Sequence, residues 1–262
     1  MSLPFYWIDA FTDRVFAGNP AGVVPLEKWL PDDTMQRIAF ENGLAETAFF
    51  VRAGPDRFHL RWFTPTFEID LCGHATLASA FVLFTQLGQA GDRVVFDSKS
   101  GPLIVTRKAD ELLELDFPSN PAAVVAAPPS ELARGLGASP QLVAKARDFL
   151  CVFPTEAEVR ALKPDFDLLA RLDAVGIIVT APGEACDFVS RFFAPRAGIP
   201  EDPVTGSSHT NLIPYWAERL GKTVLRARQV SPRGGELFCE LRGNRVGIAG
   251  RAVLYLRGEI EI

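Results

Sequence analysis

Residues 61–76 contain Arg61-Trp-Phe-Thr-Pro and then Asp70-Leu-Cys-Gly-His-Ala-Thr76. They recur in the second half of the chain as Arg191-Phe-Phe-Ala-Pro and then Glu201-Asp-Pro-Val-Thr-Gly-Ser-Ser-His209. Each copy places an acid, a glycine and small polar residues just ahead of a charge-free run with helical character. The chain therefore reads as two versions of one module. A helix N-terminus presents unpaired backbone N–H groups and the positive end of the helix dipole, and it attracts anions. Two such termini facing one another across a pseudo-twofold cleft suit a small carboxylate-bearing ligand, with side-chain acids near its carbon skeleton.

Outward from the repeat, Phe5 to Phe11 and the run after Gly18-Asn-Pro read as strands, because Gly-Asn-Pro punctuates two apolar stretches. Asp32 and Asp33 open an amphipathic helix to about Asn42, followed by β-like runs at Ala45–Val51 and Phe58–Phe63. Gly73 to Leu87 reads as a helix apolar on nearly every side, which in a folded protein must be wrapped by other elements. Three short strands follow, at Val94–Phe96, Leu103–Thr106 and Leu112–Phe117. Residues 118–140, rich in Pro, Ala and Ser, contain one short helix with Ser130 as its cap and Gly137 as its stop. The second half repeats the order loosely. Its central helix is expected from Gly206, with a kink or short break at Pro214, and strands at Leu237–Leu241 and Val246–Leu256 complete it. The expected architecture is α+β, with two pseudo-symmetric barrel-like domains, each around a central helix. The first is residues 1–118, which receives the last strand at about 252–262, and the second is residues 119–262.

Composition narrows the function. At 262 residues, 48 % hydrophobic and 23 % charged, the chain can bury a large core. A net charge of −5 with interspersed signs offers no basic stripe, so nucleic acid is not an expected partner. Cys72, Cys151, Cys186 and Cys239 are scattered, and His59, His74 and His209 show no ligand spacing, so no metal is expected. Leu71 to Gly91 lacks formal charge and reaches the ~20-residue length of a membrane span. Its Thr, Ser, Gln and His content argues for a buried helix instead. The first residues lack a basic region before an apolar run, so the expected location is cytoplasmic, with reduced thiols.

Three side chains carry the chemistry. Glu46 opens a run that otherwise reads as buried strand, where desolvation prepares a carboxyl to give and take a proton. The plainer alternative pairs it with a base such as Arg61. His74, at a helix start, is expected to be neutral under the dipole and able to donate to substrate. Asp202 is placed to act on the second terminus or simply to cap it. Thr205, Gly206, Ser207 and Ser208 suit carboxylate binding or capping. No Gly-x-Ser-x-Gly elbow, dinucleotide fingerprint or phosphate loop is present.

Taken together, Asp9-Ala-Phe-Thr with Phe16-Ala-Gly-Asn-Pro-Ala, Leu44-Ala-Glu-Thr-Ala-Phe, Arg61-Trp-Phe-Thr-Pro, Asp70-Leu-Cys-Gly-His-Ala-Thr, Leu115-Asp-Phe-Pro and Glu201-Asp-Pro-Val-Thr-Gly-Ser-Ser-His resemble the PhzF family of phenazine-biosynthesis-type isomerases. The resemblance covers essentially the whole chain. It implies the diaminopimelate-epimerase fold, an active site between two barrels, no cofactor, and a homodimer. It also implies Glu46 as the proton shuttle with His74 and Asp202 as partners, and substrate contacts from Asn19, Gly73, Gly206 and Ser207. In the family the activity resembled is trans-2,3-dihydro-3-hydroxyanthranilate isomerisation. One departure is Ala45, where the family commonly has Ser, which removes a hydroxyl beside the acid. Two alternatives are an amino-acid racemase or epimerase, and a non-catalytic protein that binds small acids or serves as a scaffold. The racemase reading needs a thiol in each module. Cys72 supplies one, but Thr205-Gly206 stands where the second would be, and a threonine hydroxyl is too weak an acid and base to replace a thiolate.

Overall fold

The computed structural model describes residues 1–262. The first half of the chain runs β1 (Ser2–Ala10), β2 (Asn19–Leu26), α1 (Asp32–Asn42), β3 (Glu46–Arg52), β4 (Arg57–Phe63), β5 (Glu68–Ile69), α2 (Gly73–Thr85), β6 (Arg93–Ser98), β7 (Gly101–Arg107) and β8 (Leu113–Pro118). The second half runs β9 (Ala123–Val124), α3 (Ser130–Leu136), β10 (Leu142–Lys145), β11 (Phe149–Val152), α4 (Glu156–Ala161), α5 (Phe166–Leu169), β12 (Ile177–Pro182), β13 (Phe188–Ala194), β14 (Ile199–Asp202), α6 (His209–Leu220), β15 (Val224–Gln229), β16 (Gly235–Arg242) and β17 (Arg245–Gly250). The final strand is β18 (Ala252–Glu261). The chain divides into two compact units, Met1–Asp116 with Ala249–Ile262, and Phe117–Ile248.

In the first unit β1 pairs antiparallel with both β18 and β2, β2 runs parallel to β3, and β3 is antiparallel to β4. Strand β4 holds the two-residue β5 antiparallel and β6 parallel, and β6, β7 and β8 form a meander. The second unit repeats this strand for strand. Strand β10 is antiparallel to β9 and β11, β11 is parallel to β12, and β12 is antiparallel to β13. Strand β13 holds the short β14 antiparallel and β15 parallel, and β15 pairs antiparallel with β16. In both units the central helix, α2 or α6, follows the short strand.

The repeated arginine motif now has a physical meaning. Arg61 on β4 forms a bidentate pair with Glu68 on β5 at 2.8 and 2.9 Å, and its guanidinium lies 5.1 Å from the ring centre of Phe63. Arg191 on β13 does the same with Glu201 on β14 at 2.7 and 2.9 Å, over Phe193 at 4.9 Å. Each fork clips the short strand beside the one it leaves, just before the chain enters the central helix. Planar guanidinium suits both the two-oxygen acceptor and the aromatic face.

Helix α2 is wrapped as expected: every residue except Phe81 and Thr85 is buried, and it packs on β1, β2, β3, β7 and β18. Its polar residues are accommodated by donating to carbonyls one turn back, Thr76 Oγ1 to Cys72 O at 2.5 Å and Ser79 Oγ to Ala75 O at 2.7 Å. No helix is long and apolar enough to cross a membrane.

Several local expectations are corrected. Helix α6 begins at His209, not Gly206. Gly206 to Ser208 form a tight turn whose bonds run three residues apart, from His209 N–H to Gly206 O and from Thr210 N–H to Ser207 O. Pro214 does not break α6. The carbonyl of Thr210, freed by the missing proline N–H, instead accepts from Asn120 N–H at 3.0 Å. Ser130 does not cap α3; its hydroxyl donates to Glu131. The run expected as one strand from Val246 to Leu256 is divided at Arg251 into β17 and β18. Gly250 at that junction packs so tightly that a Cβ there would lie 2.4 Å from the Phe11 ring.

Candidate active site

Three separated segments of the first unit bring side chains to one place. Glu46 is the first residue of β3, opposite Ala21 of the parallel strand β2. Asn19 is the first residue of β2, and it follows Gly18, whose φ of +66° and lack of a Cβ are both required, since a Cβ would sit 2.2 Å from the Ala10 carbonyl oxygen. His74 is the second residue of α2, behind Cys72 and Gly73, where no side chain caps the helix and the first-turn N–H groups are open to an anion.

The four side chains converge. His74 Nε2 lies 3.1 Å from Glu46 Oε2, and His74 Nδ1 lies 3.1 Å from Asn19 Nδ2 and 3.4 Å from Cys72 Sγ. Asn19 is 0 %, His74 4 %, and Glu46 and Cys72 each 6 % exposed. Although Nε2 and Oε2 are at ion-pair distance, neither has an aligned hydrogen-bond partner. Buried polar atoms in that state are costly, and a ligand beside them would satisfy both.

Burial pulls the His74 imidazole down, but the Cys72 sulfur and the Glu46 carboxylate override it and raise its pKa well above the usual value. This corrects the expected neutral ring: the acid facing Nε2 outweighs the helix terminus. Asn19 suits either protonation state, because a half-turn of its amide exchanges a donor for an acceptor at Nδ1. Burial, and then the Glu46 charge, push the Cys72 thiol up, so it is a neutral thiol near pH 7. Arg61 does not pair with Glu46. It is committed to Glu68, and to Asp32 at 2.8 Å.

The Glu46, Cys72 and His74 donor atoms lie within 4.8 Å of one another, a set able to hold a metal ion. Sequence spacing gave no sign of it, because Glu46 comes from a different segment. A metal takes one imidazole nitrogen, and here the carboxylate faces Nε2 while the sulfur faces Nδ1.

In the second unit Asp202 ends β14 and accepts a hydrogen bond from the Thr205 hydroxyl. Gln229 ties the same turn together, accepting from Thr205 N–H at 2.9 Å and donating to Asp202 O at 2.7 Å. Sequence reasoning missed Gln229, whose only signal is a polar residue at the end of a strand. Gly206 is buried, and Ser207 is half-buried with its hydroxyl 3.5 Å from Arg147. His209 is fully buried and its Nδ1–H donates to Thr205 O at 2.8 Å.

Burial lowers the His209 pKa to about 4, from 6.5. Between these values the unfolded chain binds a proton that the folded chain refuses, so stability falls as pH drops through that window. His74 acts oppositely: its contribution is fully present below pH 6.5 and is lost as pH rises through its raised folded value. The expected result is therefore read by difference. Between pH 7 and pH 4.5, wild type should lose about 2 kcal/mol more stability than His209→Gln, by the ~1.4 kcal/mol per pKa unit of linkage. Urea unfolding at the two pH values measures this, and parallel losses would contradict it.

Comparison with known proteins places the chain. Residues 8–258 match the family model described as phenazine biosynthesis-like protein. The chain is 53 % identical to an uncharacterized isomerase of Pseudomonas aeruginosa, over 100 % of both sequences. It superposes on the crystal structure of a PhzF-family phenazine biosynthesis protein from Enterococcus faecalis with a TM-score of 0.97 and 52 % identity, covering 100 % of each chain. A probable proline racemase from Agrobacterium radiobacter shares the fold alone, with a TM-score of 0.66 and 11 % identity over 99 % of this chain and 93 % of that one. The chain belongs to the phenazine biosynthesis-like (PhzF) family of isomerases, with the epimerase-like fold of two helix-centred units.

Proposed function

We propose that this protein is a cofactor-independent isomerase that moves a proton between carbons of a small carboxylate-bearing substrate, with Glu46 as the acid and base. The observation that carries the reading is the buried Glu46–His74 contact, 3.1 Å long with both facing atoms unsatisfied. Glu46 takes a proton from an sp3 carbon, the C–H electron pair enters the conjugated system, and Glu46 returns the proton at another carbon. His74 holds the carboxylate in place and supplies a positive charge as negative charge develops on substrate. Asn19, Gly73, Asp202, Gly206 and Ser207 are assigned to orienting the substrate and its carboxylate. The working form is a homodimer.

The neutral Cys72 and the Thr205 hydroxyl held by Asp202 favour this chemistry over a two-thiol racemase. The test is incubation in D2O with trans-2,3-dihydro-3-hydroxyanthranilate and a panel of small cyclic and amino acids, following carbon-bound deuterium by NMR. Isomerisation or exchange that depends on Glu46 supports the reading, and no exchange with any compound sinks it. Dialysis against a chelator should leave the exchange rate unchanged; a loss restored by zinc would assign the Glu46–Cys72–His74 set to a metal instead.

A further inference from the structure

Strand β18 is the longest in the chain, ten residues without a proline, and it pairs with β1 along its whole length. From Tyr255 to Glu259 every residue is exposed, on both faces of the strand. A long edge of this kind templates further pairing unless something covers it. Its register with β1 sorts the side chains. Leu256, Gly258 and Ile260 lie opposite Trp7, Phe5 and Leu3, on the side of the apolar cluster that holds Met35 and Ile38. Arg257 and Glu259 lie opposite Tyr6 and Pro4, on the other side.

We propose that β18 is the seam of the homodimer, pairing antiparallel with β18 of a second copy about a twofold axis at Gly258. That register is self-complementary. Arg257 of each copy then stands opposite Glu259 of the other, and Leu256 opposite Ile260, so each ion pair and each apolar pair occurs twice. The apolar pairs continue the existing cluster, in which Trp7 and Ile260 are already partly buried. Gly258 has no Cβ to obstruct the axis, and its surroundings are open: a Cβ placed there would meet only a Leu256 methyl, at 3.8 Å. Glu259 accepts from the Ser2 hydroxyl and remains exposed, free to meet a cation. Beside the seam, Tyr255, 45 % exposed, meets both Trp7 and Phe16, 71 % exposed, edge to face, as an aromatic ledge that a second copy would cover. Closed twofold pairing of one surface with itself is the commonest way to complete such an edge.

Charge exchange tests the seam. Sedimentation equilibrium of the full chain at micromolar concentration should show a dimer. Arg257→Glu and Glu259→Arg should each weaken it roughly 10- to 50-fold, since two opposed attractions become two repulsions. The double variant should return to within about threefold of wild type, as complementary pairs do in a double-mutant cycle. Circular dichroism confirms that each variant is folded. A monomeric wild type overturns the proposal, as do single variants that dimerise normally. Single variants that dissociate without rescue overturn the register about Gly258.

Discussion

Replacing Glu46 with glutamine should slow carbon-bound deuterium exchange by about 10²- to 10⁴-fold, the usual contribution of one positioned acid–base group. Binding of a carboxylate-bearing ligand should change little, because glutamine keeps the shape and the anion contacts lie on backbone and on other side chains. A second readout ties the loss to the site. The Glu46 carboxylate is among the groups that raise the His74 imidazole, so its removal should move the His74 titration toward lower pH, visible in the imidazole NMR signals. Lost binding together with lost exchange would point to a binding role for Glu46. An unchanged His74 titration would mean that the 3.1 Å contact does not persist in solution.

Arg191→Met should be the most destabilising single change among the arginines, by about 3–5 kcal/mol, the cost of breaking a buried ion pair from one side. Arg191 is 9 % exposed. Besides its two bonds to Glu201 it donates to the carbonyls of Val159 at 3.1 Å and Leu162 at 3.0 Å. Its loss strands a carboxylate and two carbonyls. Arg61 offers an internal control from the other copy of the motif. Its side chain is 20 % exposed and its second acid, Asp32, is at the surface, so water replaces part of what is lost. Arg61→Met should cost about 1–2 kcal/mol, nearer the range for charged hydrogen bonds. Urea unfolding of the two variants decides the matter. Equal small losses would show that the forks are not what anchors the short strands. Removing Glu201 together with Arg191 should recover part of the stability, since no unpaired charge is left behind.

The sequence by itself determined the repeat and the class of fold, and it singled out Glu46 as the candidate acid. Those features are written locally. The arginine motif and the acid- and glycine-bearing stretch that precedes each central helix recur in the same order, and a charge-free run with hydroxyls one turn from their acceptors can only be a wrapped helix, as α2 is. Tertiary structure decided what each polar group faces. Nothing near Glu46 in the chain indicates that His74 will stand opposite it. That pairing follows from β3 running parallel to β2 while α2 enters beside them, and it is long-range contact that reverses the expected His74 protonation. The same holds for Arg61, which has several acids within reach by sequence and is committed to Glu68 by the strand pairing of β4 with β5. Pro214 shows the limit most clearly. Local rules predict a kink or short break from a missing N–H, yet the carbonyl it frees is taken by Asn120, far away in sequence, and α6 continues without a break. Propensity and periodicity describe what a segment prefers alone, whereas hydrogen-bond satisfaction is settled only when every partner has arrived.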